Sequence, residues 1–283
     1  MAAFILPEKL RKPVRNLLKT CLNLAIFGAF FAVIFSFWDW QGDMAAPFRG
    51  QMLIGTLLIT ASAAALRLPK QAALAAAVAA LNLAPMAARL TARVTLSAPS
   101  TPSLSLVSSN VLCDNTAYDR VVDMVRREGP DIFVAIETTP DWVAHLGALK
   151  DGSPYSFTPA RLGVFGLSAY AKRPFQAQLF RLGSRHMPLA RLEFSDYIIY
   201  AVHTMPPATA SMETDNRVYL RQLADMAGQE HKPVVLAGDF NSTLWSRNMA
   251  PFIHDRWQWP QGSGMAYSGR PTVRYCVSRS IRC

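Results

Sequence analysis

Four apolar residues, Val234-Val235-Leu236-Ala237, run straight into Gly238-Asp239-Phe240-Asn241. A short run rich in β-branched valine reads as a buried strand. Gly238 lets the backbone turn sharply or pack closely at its end. Asp239 and Asn241 stand two apart, so on an extended strand end both side chains leave on the same side. A carboxylate and an amide delivered together from a core strand suit a metal, a water or a phosphate oxygen. An Asx-rich turn closing a strand is the plain alternative for an isolated G-D-x-N. The choice between the two depends on whether other strand ends supply partners.

Before that domain comes a different kind of chain. Residues 1–100 carry ten Lys/Arg against three Asp/Glu, and residues 101–283 carry nineteen against sixteen, so the net charge of +10 splits as +7 and +3. Arg270, Arg274, Arg279 and Arg282 crowd the last fourteen residues, and without them the second half is close to neutral. The basic balance therefore reflects membrane flanks and a tail, not a nucleic-acid surface.

Lys9, Arg11, Lys12, Arg15 and Lys19 precede a charge-free run over 20–38 that closes on Trp38 and Trp40. About twenty apolar residues span a bilayer, and aromatic residues favour its edges. A cleaved signal peptide would end on small residues, whereas this run ends Phe-Trp-Asp-Trp. Further charge-free runs cover 50–66 and 71–88, the last mostly alanine with Pro85 near its end. We expect a membrane anchor over 1–93, a bundle of about three transmembrane helices with spans at 20–40, 50–67 and 71–89. The alanine-rich run could instead lie in the interface or against the first two. The five N-terminal cations favour the cytoplasm, so three spans place the C-terminal domain on the periplasmic side of a bacterial-type inner membrane. Arg67 and Lys70 then fall on the outer side, against the same rule, and loss of the third span would reverse the orientation. A linker of Ser, Pro and Thr occupies 94–103.

Within 104–265 the reading is α+β. Residues 104–111 and 131–137 make strands, the second ending at Glu137. Weaker strands cover 162–171 and 177–182, and a pair covers 189–194 and 197–203, ending at His203. Helices cover 118–127, stopped by Gly129-Pro130, and 216–228. Helices and strands mix without strict alternation, which predicts a largely antiparallel sheet core. Cys21, Cys113, Cys276 and Cys283 form no zinc pattern; a Cys276–Cys283 bridge would staple only the tail.

Polar residues recur where these strands stop: Asn110 and Asn115, Glu137, His203, and Asp239 with Asn241. Singly, each has an ordinary explanation as a helix cap, a solvated strand end or a hydrogen-bonded histidine. In order, the pieces Ser109–Asn115, Pro130–Thr138, Val164–Pro174, Val202-His203-Thr204, Arg217–Leu223 and Leu236–Asn241 resemble the endonuclease/exonuclease/phosphatase superfamily, the deoxyribonuclease-I-like fold. The resemblance implies a four-layered α/β sandwich, two packed sheets flanked by helices. It implies Glu137 as main ligand of Mg²⁺ (or Mn²⁺) with Asn110 beside it, as hard oxygen donors suit such an ion. Asp239 would orient or deprotonate the attacking water, Asn241 hold a phosphate or metal-side oxygen, and His203 donate to a non-bridging oxygen. The reaction is in-line hydrolysis of a phosphoester: a lipid phosphodiester, a small phosphoester or nucleic acid. The lipid bilayer is the other partner, and no protein partner is implied.

One departure stands out. Family members carry two later motifs, an Asp followed by His and a final Ser-Asp-His. Here His254, in Ile253-His254-Asp255, is the sole histidine after Asn241. The tail 266–283 is rich in Arg, Ser and Cys and is expected to lack the last strands. A shifted frame or early stop beyond Gly264 accounts for this best, and a divergent tail that binds anionic headgroups is second. A catalytically inactive, membrane-tethered binding or structural module is the alternative function.

Overall fold

The computed structural model describes residues 8–90, 104–159 and 164–252, with strand segments 257–258, 266–268 and 273–274. The chain divides into two compact units, 1–92 and 93–283. His254, Cys276 and Cys283 lie outside the described residues, as does most of the expected linker.

The first unit is helical: α1 (Glu8–Phe35), α2 (Asp39–Ala45), α3 (Arg49–Ala65) and α4 (Pro69–Leu90). Helices α1, α3 and α4 pack on one another around Ile26, Val33, Ala75 and Val78. Arg49 is buried among them. Its guanidinium donates to Asn82 Oδ1 and the Ser36 carbonyl, both at 3.3 Å, while the Asn82 amide donates to the Arg49 carbonyl at 2.9 Å. The large apolar side chains Leu24, Phe27, Phe31, Ile54 and Leu58 face outward. Among the described residues one stretch, Lys12–Phe35, is long and apolar enough to cross a membrane. The other two expected spans fold as helices but fall short of that test. One, α3, has only 17 residues, and α4 carries Lys70, Gln71, Asn82 and Pro85 among its alanines.

The second unit is built from strand alternation. In the strands β1 (Leu104–Asn110) and β2 (Ile132–Ile136), successive side chains serve opposite faces. Leu106, Ile132, Val134 and Ile136 point inward to meet Ala190, Leu192, Ile199, Ala201, Val235 and Ala237 of the other sheet. Phe133 and Ala135 point outward onto α5 (Tyr118–Glu128) and α6 (Pro140–Leu146), through Val121, Val125, Trp142 and Leu146. On the far side, Tyr200, Val202, Val234 and Leu236 meet Tyr219, Leu220, Leu223 and Ala227 of α7 (Ala210–Gly228). Three apolar seams thus separate four layers, helix, sheet, sheet, helix, as expected. Helix α5 ends at Gly129, whose positive φ of 53° lets its N–H close on the Val125 carbonyl.

The remaining strands are β3 (Tyr155–Phe157), β4 (Leu167–Ala171), β5 (Gln176–Leu182), β6 (Met187–Glu193), β7 (Ile198–His203), β8 (Val234–Asp239), β9 (Trp257–Gln258), β10 (Ala266–Ser268) and β11 (Val273–Arg274). One sheet runs β11-β1-β2-β4-β3 and the other β5-β6-β7-β8-β10-β9. Pairing is largely antiparallel, but β1 with β2, β7 with β8, and β1 with β11 are parallel. Parallel neighbours end at the same rim, so Asn110 aligns with Ile136, and His203 with Asp239.

The tail corrects the sequence expectation that it lacks strands. Ala266–Ser268 pairs antiparallel with β8, and Val273–Arg274 pairs with β1. A core strand leaves a row of unpaired N–H and C=O groups at its flank, and these segments supply partners for both strands.

Candidate active site

Two sheets deliver their strand ends to one rim, and glycine makes the delivery possible on each. On the first sheet, Glu137 follows β2 with φ of 65°, in the left-handed region that side chains seldom occupy. Its N–H donates at 2.8 Å to the carbonyl of Gly166, where an added Cβ would come within 1.8 Å of the Thr138 carbonyl oxygen. On the second sheet, Gly238 has φ of 141°, and its Cβ would meet the Val202 carbonyl oxygen at 1.9 Å. Asn241, with φ of 46°, completes that turn, and its N–H donates to Asp239 Oδ1 at 2.9 Å. Strained backbone of this kind persists only where the surroundings hold it, and functional rims are where it concentrates.

The polar side chains then meet. The Asn110 amide donates to Glu137 Oε1 at 2.7 Å and, from the same nitrogen, reaches Asp239 Oδ2 at 3.4 Å. Its orientation is fixed because Oδ1 accepts the Leu112 N–H at 3.0 Å. The Cys113 N–H donates to Glu137 Oε2 at 3.3 Å. His203 Nε2 stands 3.8 Å from Glu137 Oε1, with the imidazole against the Phe165 ring at 4.9 Å between centroids. Burial pushes the His203 pKa down, opposed by the charges of Asp239 and Glu137. The Asn241 amide donates to the Thr204 carbonyl at 2.7 Å, which leaves one N–H of that amide for another acceptor.

Asn110, Glu137, His203, Asp239 and Asn241 are therefore neighbours at one rim, although up to 131 positions separate them in the chain. Asn115 is not among them. It accepts the Ala117 N–H at 3.0 Å and donates to the Val111 carbonyl at 3.1 Å, shaping the approach to α5.

Three supporting residues escaped the sequence reading. Asn216 on α7, fully buried, donates to Thr204 Oγ1 (2.8 Å), the Met205 carbonyl (2.8 Å) and the Phe240 carbonyl (3.0 Å). It accepts from Ser242 Oγ at 3.2 Å and Asn248 Nδ2 at 3.0 Å. Asn216, Thr204 and Asn248 thus bolt the loops after β7 and β8 to the helix behind them. An Asn at helical spacing from the buried Tyr219, Leu220 and Leu223 was the available signal.

Among the described residues no Lys or Arg lies within ion-pair distance of Glu137 or Asp239, and His203 is the one cationic-capable neighbour. Two carboxylates linked by one amide, without a permanent counter-charge, fit a cation. No three His, Cys, Asp or Glu side chains converge as a cage among the described residues. The donor set of oxygens with few protein ligands fits an ion that keeps most of its water, as Mg²⁺ does.

The sequence profile of the Endonuclease/Exonuclease/phosphatase family matches residues 107–280. The chain belongs to this family. Members of the endonuclease/exonuclease/phosphatase family are hydrolases of phosphoesters, nucleases and phosphodiesterases among them, and generally use divalent metals. The match continues through the arginine-rich tail, beyond the 104–265 of the sequence reading. No curated protein matches the sequence. Solved structures with similar folds include an endonuclease/exonuclease/phosphatase from Beutenbergia cavernae, at 17% identity and a TM-score of 0.41 over 52% of each chain. A Danio rerio (D. rerio) TDP2 complexed with single strand DNA product aligns at 16% identity and 0.46, over 55% of this chain and 67% of that one. A 3'-5' exonuclease from Neisseria meningitidis aligns at 15% and 0.41, over 49% and 58%. The chain thus spans about half the length of the Beutenbergia protein.

Proposed function

We propose that this protein is a membrane-anchored, divalent-metal-dependent phosphoester hydrolase with its active site at the Glu137–Asp239 rim. The observation that carries the reading is the Asn110 amide bridging the carboxylates of Glu137 and Asp239, one from each sheet, with no Lys or Arg within ion-pair distance of them among the described residues. Glu137 would hold a divalent ion, Mg²⁺ or Mn²⁺, and Asn110, whose Nδ2 and not its Oδ1 faces the carboxylates, would keep that ligand in place beside it. When bound it supplies charge stabilisation at phosphoryl oxygens. Asp239, held by the Asn241 N–H, accepts a hydrogen bond from the attacking water and aligns it, or takes its proton. The free Asn241 N–H and the His203 imidazole donate to non-bridging oxygens as charge grows on them. A neutral His203, favoured by burial, donates from a single nitrogen.

Substrate is a phosphoester whose class is left to the test: nucleic acid, a lipid phosphodiester or a small ester.

The anchoring rests on the helical unit, which buries Arg49, Asn82 and Thr56 while Leu24, Phe27, Phe31 and Leu58 face out. Membrane bundles pack small and polar residues inside and turn apolar ones to lipid. With the basic N-terminus inside, one crossing or three put the hydrolase domain outside the cytoplasm.

The test is turnover of bis(p-nitrophenyl) phosphate by the full chain in detergent. We expect hydrolysis that EDTA stops and Mg²⁺ restores, lowered by about 10²-fold or more in both Glu137→Ala and Asp239→Ala. Turnover that ignores EDTA, or that survives both substitutions, refutes the reading. A C-terminal β-lactamase fusion should protect cells from ampicillin; a fusion active only after lysis would reverse the orientation.

A further inference from the structure

Behind the rim, a cleft of about 220 Å³ opens between α7 and the 3₁₀ segment Arg247–Phe252. Its walls are Arg217, Arg221, Arg247, Asn248, Ala250 and Pro251. Nothing in the hydrolytic chemistry uses it. Arg217 and Arg221 stand four apart on one helical face, where like charges oppose each other. Arg217 Nε reaches Glu213 Oε1 at 3.3 Å, but Glu213 does not line the cleft. Among the described residues Arg221 has no acidic partner within ion-pair distance, and a third guanidinium, Arg247, is added from the facing segment.

Asn248 supplies a second and independent sign. It is 2% exposed, and its Oδ1 is buried without a hydrogen-bond partner among the described residues. The amide cannot be turned round, because Nδ2 donates to Asn216 Oδ1, an acceptor, at 3.0 Å. A buried acceptor left unpaired is costly, so something with a proton to give belongs beside it. An anion that also carries an O–H answers both features. Inorganic phosphate does so at neutral pH, and a phosphomonoester does so as its monoanion, below a second pKa of about 6; a phosphodiester and sulfate have no such proton. The volume falls below the roughly 300–1,000 Å³ of clefts that take drug-sized ligands, which suits one phosphoryl group and not a polymer strand.

We propose that this cleft is a second, metal-independent site for a phosphoryl group, free phosphate or the phosphate of a small monoester. Arg217, Arg221 and Arg247 supply the charge and guanidinium N–H donors, and Asn248 Oδ1 accepts the phosphate hydroxyl. Guanidinium forks match phosphate oxygens in pairs, so arginine suits the task better than lysine. The site does not depend on the hydrolase reading, since it needs neither metal nor turnover.

The experiment is calorimetric titration of inorganic phosphate into the full chain in detergent with EDTA present. We expect saturable binding, weaker by about tenfold or more in Arg221→Gln/Arg247→Gln, and unchanged in Glu137→Gln. Arg221→Lys should retain part of the affinity, and melting curves confirm that each variant is folded. Sulfate should bind more weakly than phosphate. Glycerol phosphate that competes better than inorganic phosphate assigns the site to esters, and the reverse order assigns it to the free anion. No saturable phosphate binding by the unaltered chain, or loss of binding in Glu137→Gln with none in the arginine variants, overturns the proposal.

Discussion

The two halves of the rim are held in different ways. Glu137, on the first sheet, is fixed largely by backbone: a left-handed φ, a bond from its N–H to the Gly166 carbonyl, and the Cys113 N–H on its carboxylate, to which the Asn110 amide also donates. Asp239, on the second sheet, depends on side chains behind it, with Asn216 gathering Thr204, Ser242 and Asn248 around the loop. Backbone support leaves no side chain to exchange and tolerates no added atom. A side-chain hub can be cut one bond at a time. The contrast makes graded expectations for each half.

The largest effect should come from the backbone half. Gly166→Ala drives a methyl to 1.8 Å from the Thr138 carbonyl oxygen, a contact no rotamer relieves. We expect loss of more than about 4 kcal/mol by denaturant unfolding, in the range where substitutions become exceptional. A loss below about 1 kcal/mol would mean that the strand end is not as closely backed as the structure has it.

Asn216→Ala comes next. It removes three donated and two accepted bonds from a fully buried amide, stranding the Met205 carbonyl and the Asn248 amide, while the Phe240 carbonyl keeps the Thr204 hydroxyl. About 2–4 kcal/mol is expected, because each buried group left unpaired costs about 1–3 kcal/mol. The comparison sharpens if hydrogen exchange speeds at 239–243 while 136–138 stays protected. Equal acceleration on both halves would break it.

The smallest expectation concerns acid, at the opposite end of the second sheet. Lys232 and Arg191 hydrogen-bond Glu193 and hold its carboxyl down at about 2, while Arg191 and Tyr200 keep Glu230 low as well. A carboxylate with a depressed folded pKa binds fewer protons than in the unfolded chain. Its contribution is complete above the unfolded value near 4.5 and is lost as pH falls toward about 2. Lys232→Met should therefore flatten the decline of the melting temperature between pH 4.5 and 2, without moving the exchange pattern at the rim. An unchanged decline would remove Glu193 from the account.

Much of this could be read from residues alone, for physical reasons. Strand ends announce themselves where an apolar run stops at Glu137, His203 or Asp239, and the parallel pairs then bring those stops together. The four layers follow from period-two alternation in 132–136, where odd and even positions serve different seams. Asn216 stayed hidden because its partners, two carbonyls and the side chains of Thr204, Ser242 and Asn248, lie in segments that only the fold brings together. Gly166 was silent as well, since a glycine's need for closeness shows only once the facing carbonyl is placed. The short strands β10 and β11 went unseen because two or three residues carry too little pattern, and pairing with an existing strand, not local preference, makes them strands.

The central claim is that the rim binds one divalent ion through Glu137, whose carboxylate Asn110 holds in place. Manganese titration of the full chain, followed by electron paramagnetic resonance of the free ion, tests it without relying on turnover. The account predicts one bound ion per chain, lost in Glu137→Gln and weakened in Asn110→Ala, with Arg221→Gln unchanged. Stoichiometric binding that persists undiminished in Glu137→Gln would contradict it.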